Sequence, residues 1–331
     1  MLHFCTLFNS TYLTRGVAMY NSLFNYCKEF QLFIFAMDED CYNALRKLGL
    51  KNVKVIELSS FENKDLLIVK SQRTAREYLW TCASASIKYV LDTFQVEACT
   101  YIDSDLLFFS DPSPLLDEMQ AASVLITEHR YSPEYDQTTT SGRFCVQFIC
   151  FRKNPTGMKV LNWWYKACID WCYDRFENGR FGDQKYLDDW PTRFPGVHVL
   201  RHLGGGVAPW NVQQFTFENV DGKVRGIHLT TKKKFDLVFY HFHCFKYSNS
   251  GHFGIIGKYF IDDNHYSQIY GPYVKSLLSV EKLLLDLNIH GDFHEALEVP
   301  LQAREVVDYY FDAGDYRIYH ELYNESKCLI K

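Results

Sequence analysis

The sequence predicts an α/β protein whose mostly parallel sheet is flanked by helices on both faces and followed by a helical C-terminal extension. Short apolar runs alternate with helical patterns from Leu2 to Asp103, which is typical of parallel strands joined by crossover helices. Polar residues follow several of these runs, at the strand ends where open α/β sheets bind ligands. From about Tyr266 onward the apolar spacing becomes helical.

The first half of the chain supplies most of the expected sheet. Gly49 ends the second helix, because glycine readily adopts the left-handed conformation that closes a helix. The expected strands cover residues 2–8, 31–37, 53–58 and a fourth run that ends at Asp103, and the expected helices cover 15–27, 41–48 and 74–94.

The second half is less regular, with expected strands at 124–127, 145–151 and 237–240 and a helix over 156–174. One face of that helix carries large apolar side chains at i, i+4, i+7 and i+8, which predicts core packing. They are Trp164, Cys168, Trp171 and Cys172. We find no internal repeat or linker, so we expect one α/β domain over 1–260 and a helical extension packed on it over 261–331.

The composition favours a folded protein that does not bind nucleic acid. Apolar residues make up 47% and aromatic residues 17% of the 331 residues, and the net charge is −5. A negative net charge disfavours binding to a polyanion. No apolar run approaches the ~20 residues that cross a bilayer, and a strand-like segment stands at the start where a signal peptide would be. We therefore expect a cytoplasmic protein without a transmembrane segment, and peripheral membrane contact stays open.

The cysteines indicate reduced thiols. There are eleven, an odd number, and none falls in a Cys-x-x-Cys pair, which disfavours a disulfide framework and a structural zinc site. Cys5, Cys99 and Cys150 lie within apolar runs, so we expect them to pack as small buried side chains.

Asp103 and Asp105 are the strongest candidates for a functional site. Residues i and i+2 of an extended segment point the same way, and apolar residues flank this pair on both sides. Two like charges in such surroundings are costly unless a cation neutralises them. Asp38 also follows an apolar run, but it leads directly into a helical pattern. Within that pattern Asp40 suits a helix cap or the helix N-terminal dipole, and Asp38 suits a ribose hydroxyl or base edge better than a metal.

Other polar residues have both a structural and a functional interpretation. His241 and His243 follow a late strand, where they are either partly buried edge residues or nitrogen ligands of a metal. Lys246 is placed to hold a phosphate oxygen. Asp183 and Gln184 lie in a loop bounded by glycine, as a helix N-cap or as reacting groups.

Taken in order, these motifs resemble those of nucleotide-diphospho-sugar glycosyltransferases with the GT-A fold, especially the family-8 retaining enzymes and their bacterial relatives. The resemblance covers roughly residues 1 to 250. The chain departs from the family at Cys244, where the late motif has glycine, and at Cys145, where relatives tend to carry asparagine. The matching segments are Thr6-Leu7-Phe8-Asn9, Arg73 with Tyr78, Asp103-Ser104-Asp105, Gly182-Asp183-Gln184, Ala208-Pro209-Trp210-Asn211 and His241-Phe242-His243-Cys244-Phe245-Lys246.

The resemblance implies a Rossmann-like GT-A catalytic domain that uses Mn²⁺ or Mg²⁺ to transfer a sugar from a nucleotide-diphosphate donor, expected to be a UDP-sugar. Asp103 and Asp105 would hold the metal, with His241 as the expected third ligand and His243 as the alternate. The other implied contacts are Asp183 and Gln184 beside the anomeric carbon, Thr6, Asn9 and Asp38 on the nucleoside, Arg73 and Lys246 on phosphate or sugar, and Tyr78, Ser104 and Asn211 within the matching motifs.

Several alternatives stay open. The acceptor is expected to be a glycan or a lipid-linked group, and family resemblance favours retention, whereas Asp183 as a base would give inversion. An Asp-x-Asp phosphatase, a sugar nucleotidyltransferase and a non-catalytic carbohydrate-binding protein share parts of the pattern. An Asp105→Asn substitution separates the last of these, because it should leave carbohydrate binding intact.

Overall fold

The computed structural model describes residues 1–247, 253–256 and 259–294, together with two short strands at 305–307 and 318–321. The strands are β1 Leu2–Phe8, β2 Phe30–Ala36, β3 Val53–Glu57, β4 Ala98–Ile102, β5 Leu106–Phe108, β6 Val124–Glu128, β7 Phe144–Arg152, β8 Val197–Val199, β9 Phe215–Val220, β10 Lys223–His228, β11 Lys234–Asp236, β12 Phe239–His241, β13 Phe245–Tyr247, β14 Phe253–Ile256, β15 Glu305–Val307 and β16 Ile318–Glu321.

The α-helices alternate with the strands in the first half. They are α1 Leu13–Tyr26, α2 Glu39–Leu48, α3 Leu58–Phe61, α4 Lys64–Lys70, α5 Ala75–Thr93, α6 Ser113–Asp117, α7 Pro155–Asp170, α8 Trp190–Arg193, α9 Asp263–His265 and α10 Gly271–Asp286. A π-helical turn, Tyr266–Tyr270, connects the last two.

The central sheet has seven strands in the order β3-β2-β1-β4-β7-β6-β8. The pairs β3–β2, β2–β1 and β1–β4 are parallel, and β8 is parallel to β6. Strand β7 is antiparallel to both β4 and β6. The predicted mostly parallel α/β sheet is therefore confirmed.

Helices cover both faces of this sheet. Helices α1, α2 and α10 contribute buried side chains to one apolar cluster, and α5 and α7 contribute to the other. Burial of these faces is the main favourable term in folding. The side chains that we expected on the core face of α7 are in the second cluster or buried beside it: Trp164, Cys168, Trp171 and Cys172.

A two-stranded ribbon carries the late histidine motif to the main sheet. Strand β12 pairs antiparallel with β5, with His241 opposite Leu106. Because β5 begins just after the Asp103–Asp105 turn, this pairing joins two segments that are far apart in sequence. Strands β9, β10 and β11 form a separate three-stranded sheet, and β13, β14, β16 and β15 form a four-stranded one.

Several expected boundaries shift. The helix predicted over 156–174 ends at Asp170, because Trp171 takes an extended conformation (φ −159°, ψ 124°). The strand expected over 237–240 is observed as β12, Phe239–His241, and the β9–β10 hairpin was not predicted. The helical C-terminal region is confirmed by α9 and α10, although the short strands β15 and β16 also lie within the predicted helical extension. Residues 295–304, 308–317 and 322–331 of that extension lie outside the described residues. The domain boundary at residue 260 stays a prediction.

No helix in the described ranges combines the length and apolar character needed to cross a bilayer.

Candidate active site

Asp103 and Asp105 occupy the turn between β4 and β5. Ile102 and Leu106, which flank the turn, are fully buried, so the backbone here cannot move without disturbing the core. The Asp103 N–H donates to the Gln147 carbonyl oxygen at 3.1 Å, and the Asp105 carbonyl accepts from the Phe242 N–H at 3.0 Å. The main chain thus fixes both carboxylates beside the end of β12.

His241 completes a cluster with these two carboxylates. Its Nε2 lies 3.1 Å from Asp105 Oδ1 and 3.7 Å from Asp103 Oδ2. One ligand atom from each of the three residues lies within 4.8 Å of the others. Two carboxylate oxygens and one imidazole nitrogen suit a divalent cation such as Mn²⁺ or Mg²⁺. The residues therefore fit the predicted metal.

Gln147 on β7 orients the His241 ring from behind. Gln147 is fully buried, and its Oε1 lies 2.8 Å from His241 Nδ1. An amide oxygen accepts a hydrogen bond, so Nδ1 carries the proton and Nε2 faces the carboxylates. Outer contacts of this kind fix the tautomer of metal-binding histidines. Sequence reasoning missed Gln147, because nothing local marks a glutamine in a buried strand as a histidine partner.

His243 is the more distant of the two histidines. Its ring centroid lies 5.8 Å from that of His241 and 5.4 Å from that of Trp210. It is half-buried in the cavity wall, but it is not among the three residues whose ligand atoms converge. The geometry therefore favours His241 over His243 as the nitrogen ligand.

The electrostatics of the cluster depend on its high density of acidic groups. Burial would raise the pKa of Asp105, but the facing His241 holds it at about 2. Burial raises the pKa of Asp103 to about 6, with Asp105 adding to the rise and His241 opposing it. Burial would lower the pKa of His241, yet the Asp105 carboxylate raises it to about 10. Without a metal, the His241 imidazolium is the cation that neutralises the pair.

The cluster lines a cavity of about 640 Å³. The predicted residues Asn9, Ser104 and Lys246 also line it, as do Asp183 and Gln184. The sequence did not single out a further group of lining residues, many of them aromatic: Tyr12, Arg76, Trp80, His129, Tyr131, Asp174, Phe181 and Tyr259. A surplus of aromatic residues was the only sequence signal for this wall.

Asp183 and Gln184 are held in place by a tight loop. Gly182 has φ +51°, and a Cβ there would lie 3.3 Å from the Trp80 ring, so a larger residue would be strained. The Asp183 carbonyl accepts from Trp164 Nε1 at 2.9 Å, and Gln184 Nε2 donates to the Ser141 carbonyl at 2.7 Å.

Asp183 is buried, with 5% exposure, and contributes to the cavity wall. Burial, with a further contribution from the charge of Asp103, raises its pKa to about 8. Asp183 is therefore largely protonated at neutral pH when no cation is bound nearby.

Arg73 is not in the cavity wall. Its guanidinium donates to the carbonyl oxygens of Cys168, Ile169 and Cys172 at the C-terminal end of α7. These are carbonyls that a helix end leaves unpaired, and a cation there also complements the helix dipole. Arg76, one turn further along α5, is the arginine that lines the cavity.

Asp38 also has another role. Its carboxylate accepts from the Cys41 N–H at 2.7 Å as the N-cap of α2, and from the Ser10 N–H at 2.8 Å. It therefore ties the end of β2 to the segment after β1, and it does not reach the cavity wall. The cap of α2 is therefore Asp38 and not the expected Asp40, which lies in the first turn of the helix.

Three more predicted contacts lie behind the wall. Tyr78 donates its hydroxyl to Glu62 at 2.6 Å. Asn211 is buried, and its Nδ2 donates to the His129 carbonyl at 2.7 Å. Thr6 is fully buried, and its hydroxyl has no hydrogen-bond partner among the described residues. The sequence motifs that contain these residues support the site from the core.

No protein-family model matches the chain. Two proteins of Bacillus subtilis strain 168 are each 32% identical to it. The uncharacterized protein YfnD aligns over 283 residues, which cover 83% of this chain and 88% of YfnD. The uncharacterized protein YfnF aligns over 247 residues, which cover 72% of this chain and 80% of YfnF.

Solved structures with a similar fold are glycosyltransferases. The galactosyltransferase LgtC, in complex with donor and acceptor sugar analogues, has a TM-score of 0.51 at 11% identity, over 84% of this chain and 96% of LgtC. Mouse xyloside xylosyltransferase 1 in its apo form has a TM-score of 0.46 at 14% identity, over 73% of this chain and 98% of that chain.

The sheet order, the Asp103–Asp105 turn and the likeness to LgtC show that this chain has the GT-A fold of glycosyltransferases, and the predicted fold is confirmed. Within that class, the chain belongs to the family of the Bacillus subtilis protein YfnD.

Proposed function

We propose that this protein is a metal-dependent glycosyltransferase that moves a sugar from a nucleotide-diphosphate donor, with UDP as the carrier, to a saccharide or a lipid-linked acceptor. The observation that carries this proposal is the convergence of Asp103, Asp105 and His241 on one point in the wall of a large cavity. A carboxylate-rich metal site beside a cavity suits a donor whose diphosphate needs charge neutralisation.

Asp103, Asp105 and His241 would hold Mn²⁺ or Mg²⁺, which stabilises negative charge on a leaving nucleoside diphosphate. Arg76 and Lys246 are basic residues in the same cavity wall, and we assign them to the donor phosphates. Asn9 and Ser104 are the remaining polar candidates for the nucleotide. We assign Thr6, Asp38, Arg73, Tyr78 and Asn211 to support of the fold around the site.

We propose that Asp183 and Gln184 lie beside the anomeric carbon of the donor sugar. The raised pKa of Asp183 belongs to the metal-free protein, and a cation held by Asp103 and Asp105 would lower it by neutralising the charge of Asp103 that contributes to the rise. We propose retention, which the resemblance to the family-8 retaining enzymes supports. NMR of the product anomer tests this, and an inverted anomer would contradict it.

The direct test is a screen of nucleotide sugars for Mn²⁺-dependent release of the nucleoside diphosphate, which needs no knowledge of the acceptor. We expect release from at least one UDP-sugar, and its loss in Asp105→Asn. Asp92→Asn is the matched control, because Asp92 pairs with Lys88 on the exposed side of α5.

Release of inorganic phosphate from simple phosphomonoesters would support an Asp-x-Asp phosphatase instead. Sugar binding that survives in Asp105→Asn, with no release in the wild type, would support a non-catalytic binding protein. Formation of a nucleotide sugar from a sugar phosphate and UTP would support a nucleotidyltransferase.

We further assign residues 1–260 to the catalytic domain and 261–331 to an extension packed on it. A cytoplasmic location is supported by the cysteines, because ten of them, from Cys5 to Cys244, are free thiols, as in a reducing compartment. Labelling of unreduced protein with a thiol reagent under denaturing conditions tests this assignment, and blocked cysteines would contradict it.

A further inference from the structure

The segment from residue 240 to residue 246 has two faces, and only one of them belongs to the cavity. The side chains of this segment that the site uses, His241 and Lys246, line the cavity together with His243. Because neighbouring side chains of an extended segment point to opposite sides, the other face of the segment determines where these side chains lie. That face consists of buried aromatic residues outside the cavity wall, namely Tyr240, Phe242 and Phe245.

Two tyrosines of the C-terminal helical region pack on this aromatic face. Tyr273 in α10 is fully buried, and its ring stacks on Phe242 with centroids 3.7 Å apart and an interplanar angle of 15°. The same ring meets Phe245 edge-on, with centroids 5.2 Å apart. Tyr270 ends the π-helical turn, and its hydroxyl is hydrogen-bonded to that of Tyr240 at 3.0 Å. Each aromatic residue of the segment therefore has a partner in the C-terminal region.

The backbone between the two histidines and Lys246 depends on such support. Strand β12 ends at His241 and β13 begins at Phe245, so residues 242–244 lie outside the strands. Cys244 has φ +62°, a left-handed conformation that is unfavourable for a residue with a side chain. Backbone strain of this kind persists only where the surrounding contacts determine the conformation. The ring of Tyr273 supplies contacts on both sides of Cys244, at Phe242 and at Phe245.

We propose that Tyr273, together with Tyr270, is a positioning residue of the donor site, through which the C-terminal region fixes His241 against the metal and Lys246 against the donor diphosphate. This inference rests on the proposed glycosyltransferase function. It makes α10 a part of the donor site, because the helix holds the late histidine motif from the side opposite the cavity.

The test uses Tyr273→Leu, which removes the stacked ring but keeps a buried apolar side chain. Calorimetry measures the binding of Mn²⁺, and of UDP in the presence of Mn²⁺. We expect both affinities to fall about 10-fold, as when other outer contacts of a metal ligand are lost. Tyr273→Phe keeps the stack and removes a hydroxyl that has no hydrogen-bond partner among the described residues. This conservative variant should restore both affinities.

Leu284→Ala separates positioning from a general loss of stability. Leu284 is also buried on α10, but it lies about 16 Å further along the helix axis than Tyr273. Both Tyr273→Leu and Leu284→Ala remove buried apolar contacts and should lower the unfolding free energy, which urea denaturation measures. At a temperature where both are folded, only Tyr273→Leu should lose affinity for Mn²⁺ and UDP. Equal affinities in the two variants would overturn the positioning role.

Tyr270→Phe decides the question if Tyr273→Leu does not fold. It keeps the ring and removes only the hydrogen bond to Tyr240, the residue before His241. The affinity for Mn²⁺ should fall about 2- to 5-fold, less than when a direct partner of the ligand is lost, and an unchanged affinity would overturn the inference.

The wild-type protein distinguishes the two possible failures. If wild type binds Mn²⁺ and UDP and the tyrosine variants bind them equally well, the positioning role alone is wrong. If wild type binds neither Mn²⁺ nor UDP, the proposed function fails and this inference fails with it.

Discussion

Three carboxyl groups, Asp103, Asp105 and Asp183, share the wall of one cavity, and their proton affinities differ widely. Burial would raise the pKa of Asp105, but the facing His241 holds it at about 2. Burial and the charge of Asp103 raise the pKa of Asp183 to about 8. Environments that separate the pKa values of neighbouring acids are typical of sites where such groups have different roles.

Asp183 should make the metal-free protein less stable as the pH rises. Its pKa is about 8 in the folded state and 3.8 ordinarily, so between about pH 4 and pH 8 the unfolded chain releases this proton and the folded protein retains it. The unfolding free energy then falls by up to about 1.4 kcal/mol per pH unit from this group. Asp183→Asn should match wild type near pH 4 and be more stable at pH 8. Urea denaturation in EDTA at both values measures this, with Asp92→Asn as control. Equal stability of wild type and Asp183→Asn at pH 8 would contradict the raised pKa.

Gln147 should affect metal affinity without touching the metal. Gln147→Leu removes the acceptor that fixes the tautomer of His241, and loss of such a contact typically lowers metal affinity 10- to 100-fold. The unfolding free energy should also fall by about 1–3 kcal/mol, because the buried His241 Nδ1–H loses its acceptor, whereas loss of Gln147 Nε2 costs nothing, since it has no partner among the described residues. Calorimetric titration with Mn²⁺ measures the effect. The control is Gln72→Leu, because Gln72 is a surface residue whose Nε2 donates to the Ile68 carbonyl. Unchanged Mn²⁺ affinity in Gln147→Leu would show that the His241 ring is oriented by other contacts.

At the scale of elements, the N-terminal end of α5 anchors the segment that carries Asp183. Arg73 bonds to the carbonyls at the end of α7. Glu77 accepts from the Asp174 N–H at 2.9 Å and, with its other oxygen, from the Thr74 N–H at 2.8 Å. One helix start therefore fixes both ends of the turn that leads from α7 towards the site.

Arg73→Leu should destabilise the fold more than it affects the chemistry. It leaves buried carbonyls at the end of α7 without donors and removes a cation from the helix C-terminus, so we expect a loss of about 2–4 kcal/mol of unfolding free energy. Urea denaturation measures the loss. The control is Arg193→Leu, because Arg193 pairs with the exposed Asp189. UDP affinity at a temperature where the variant is folded should remain close to that of wild type. A selective loss of UDP affinity without loss of stability would restore Arg73 as a donor contact.

At the scale of the whole molecule, the site depends on segments from distant parts of the chain. Asp103 and Asp105 follow β4, Gln147 is in β7 and His241 ends β12. A cation held by Asp103, Asp105 and His241 favours the folded state, because the unfolded chain does not bring these ligands together.

Mn²⁺ should therefore stabilise the whole protein. At a concentration about 100-fold above Kd we expect a gain of about 2.7 kcal/mol in unfolding free energy, visible as a higher melting temperature that EDTA reverses. Asp105→Asn should lose most of this gain, while Asp92→Asn should keep it. A similar rise in both variants would indicate that Mn²⁺ binds elsewhere.

Much of the fold and part of the site were predictable from sequence. The strand and helix pattern of the first half and the core stripe on α7 depend on local periodicity, which the sequence displays directly. Asp103 and Asp105 were found because two acids in an apolar run are unusual. Arg73 was predicted to contact the donor, whereas Arg76 lines the cavity. The two are three positions apart at a helix start, where small shifts decide which side chain faces the site.

The sequence by itself determined that this is a mostly parallel α/β protein with a pair of carboxylates after its fourth strand, because strand periodicity and strand ends are local properties. Only the tertiary structure decided that His241, and not His243, converges on those carboxylates and that Gln147 orients it. These relations depend on the pairing of β5 with β12 and of β4 with β7, which joins residues far apart in the chain and which no local pattern specifies.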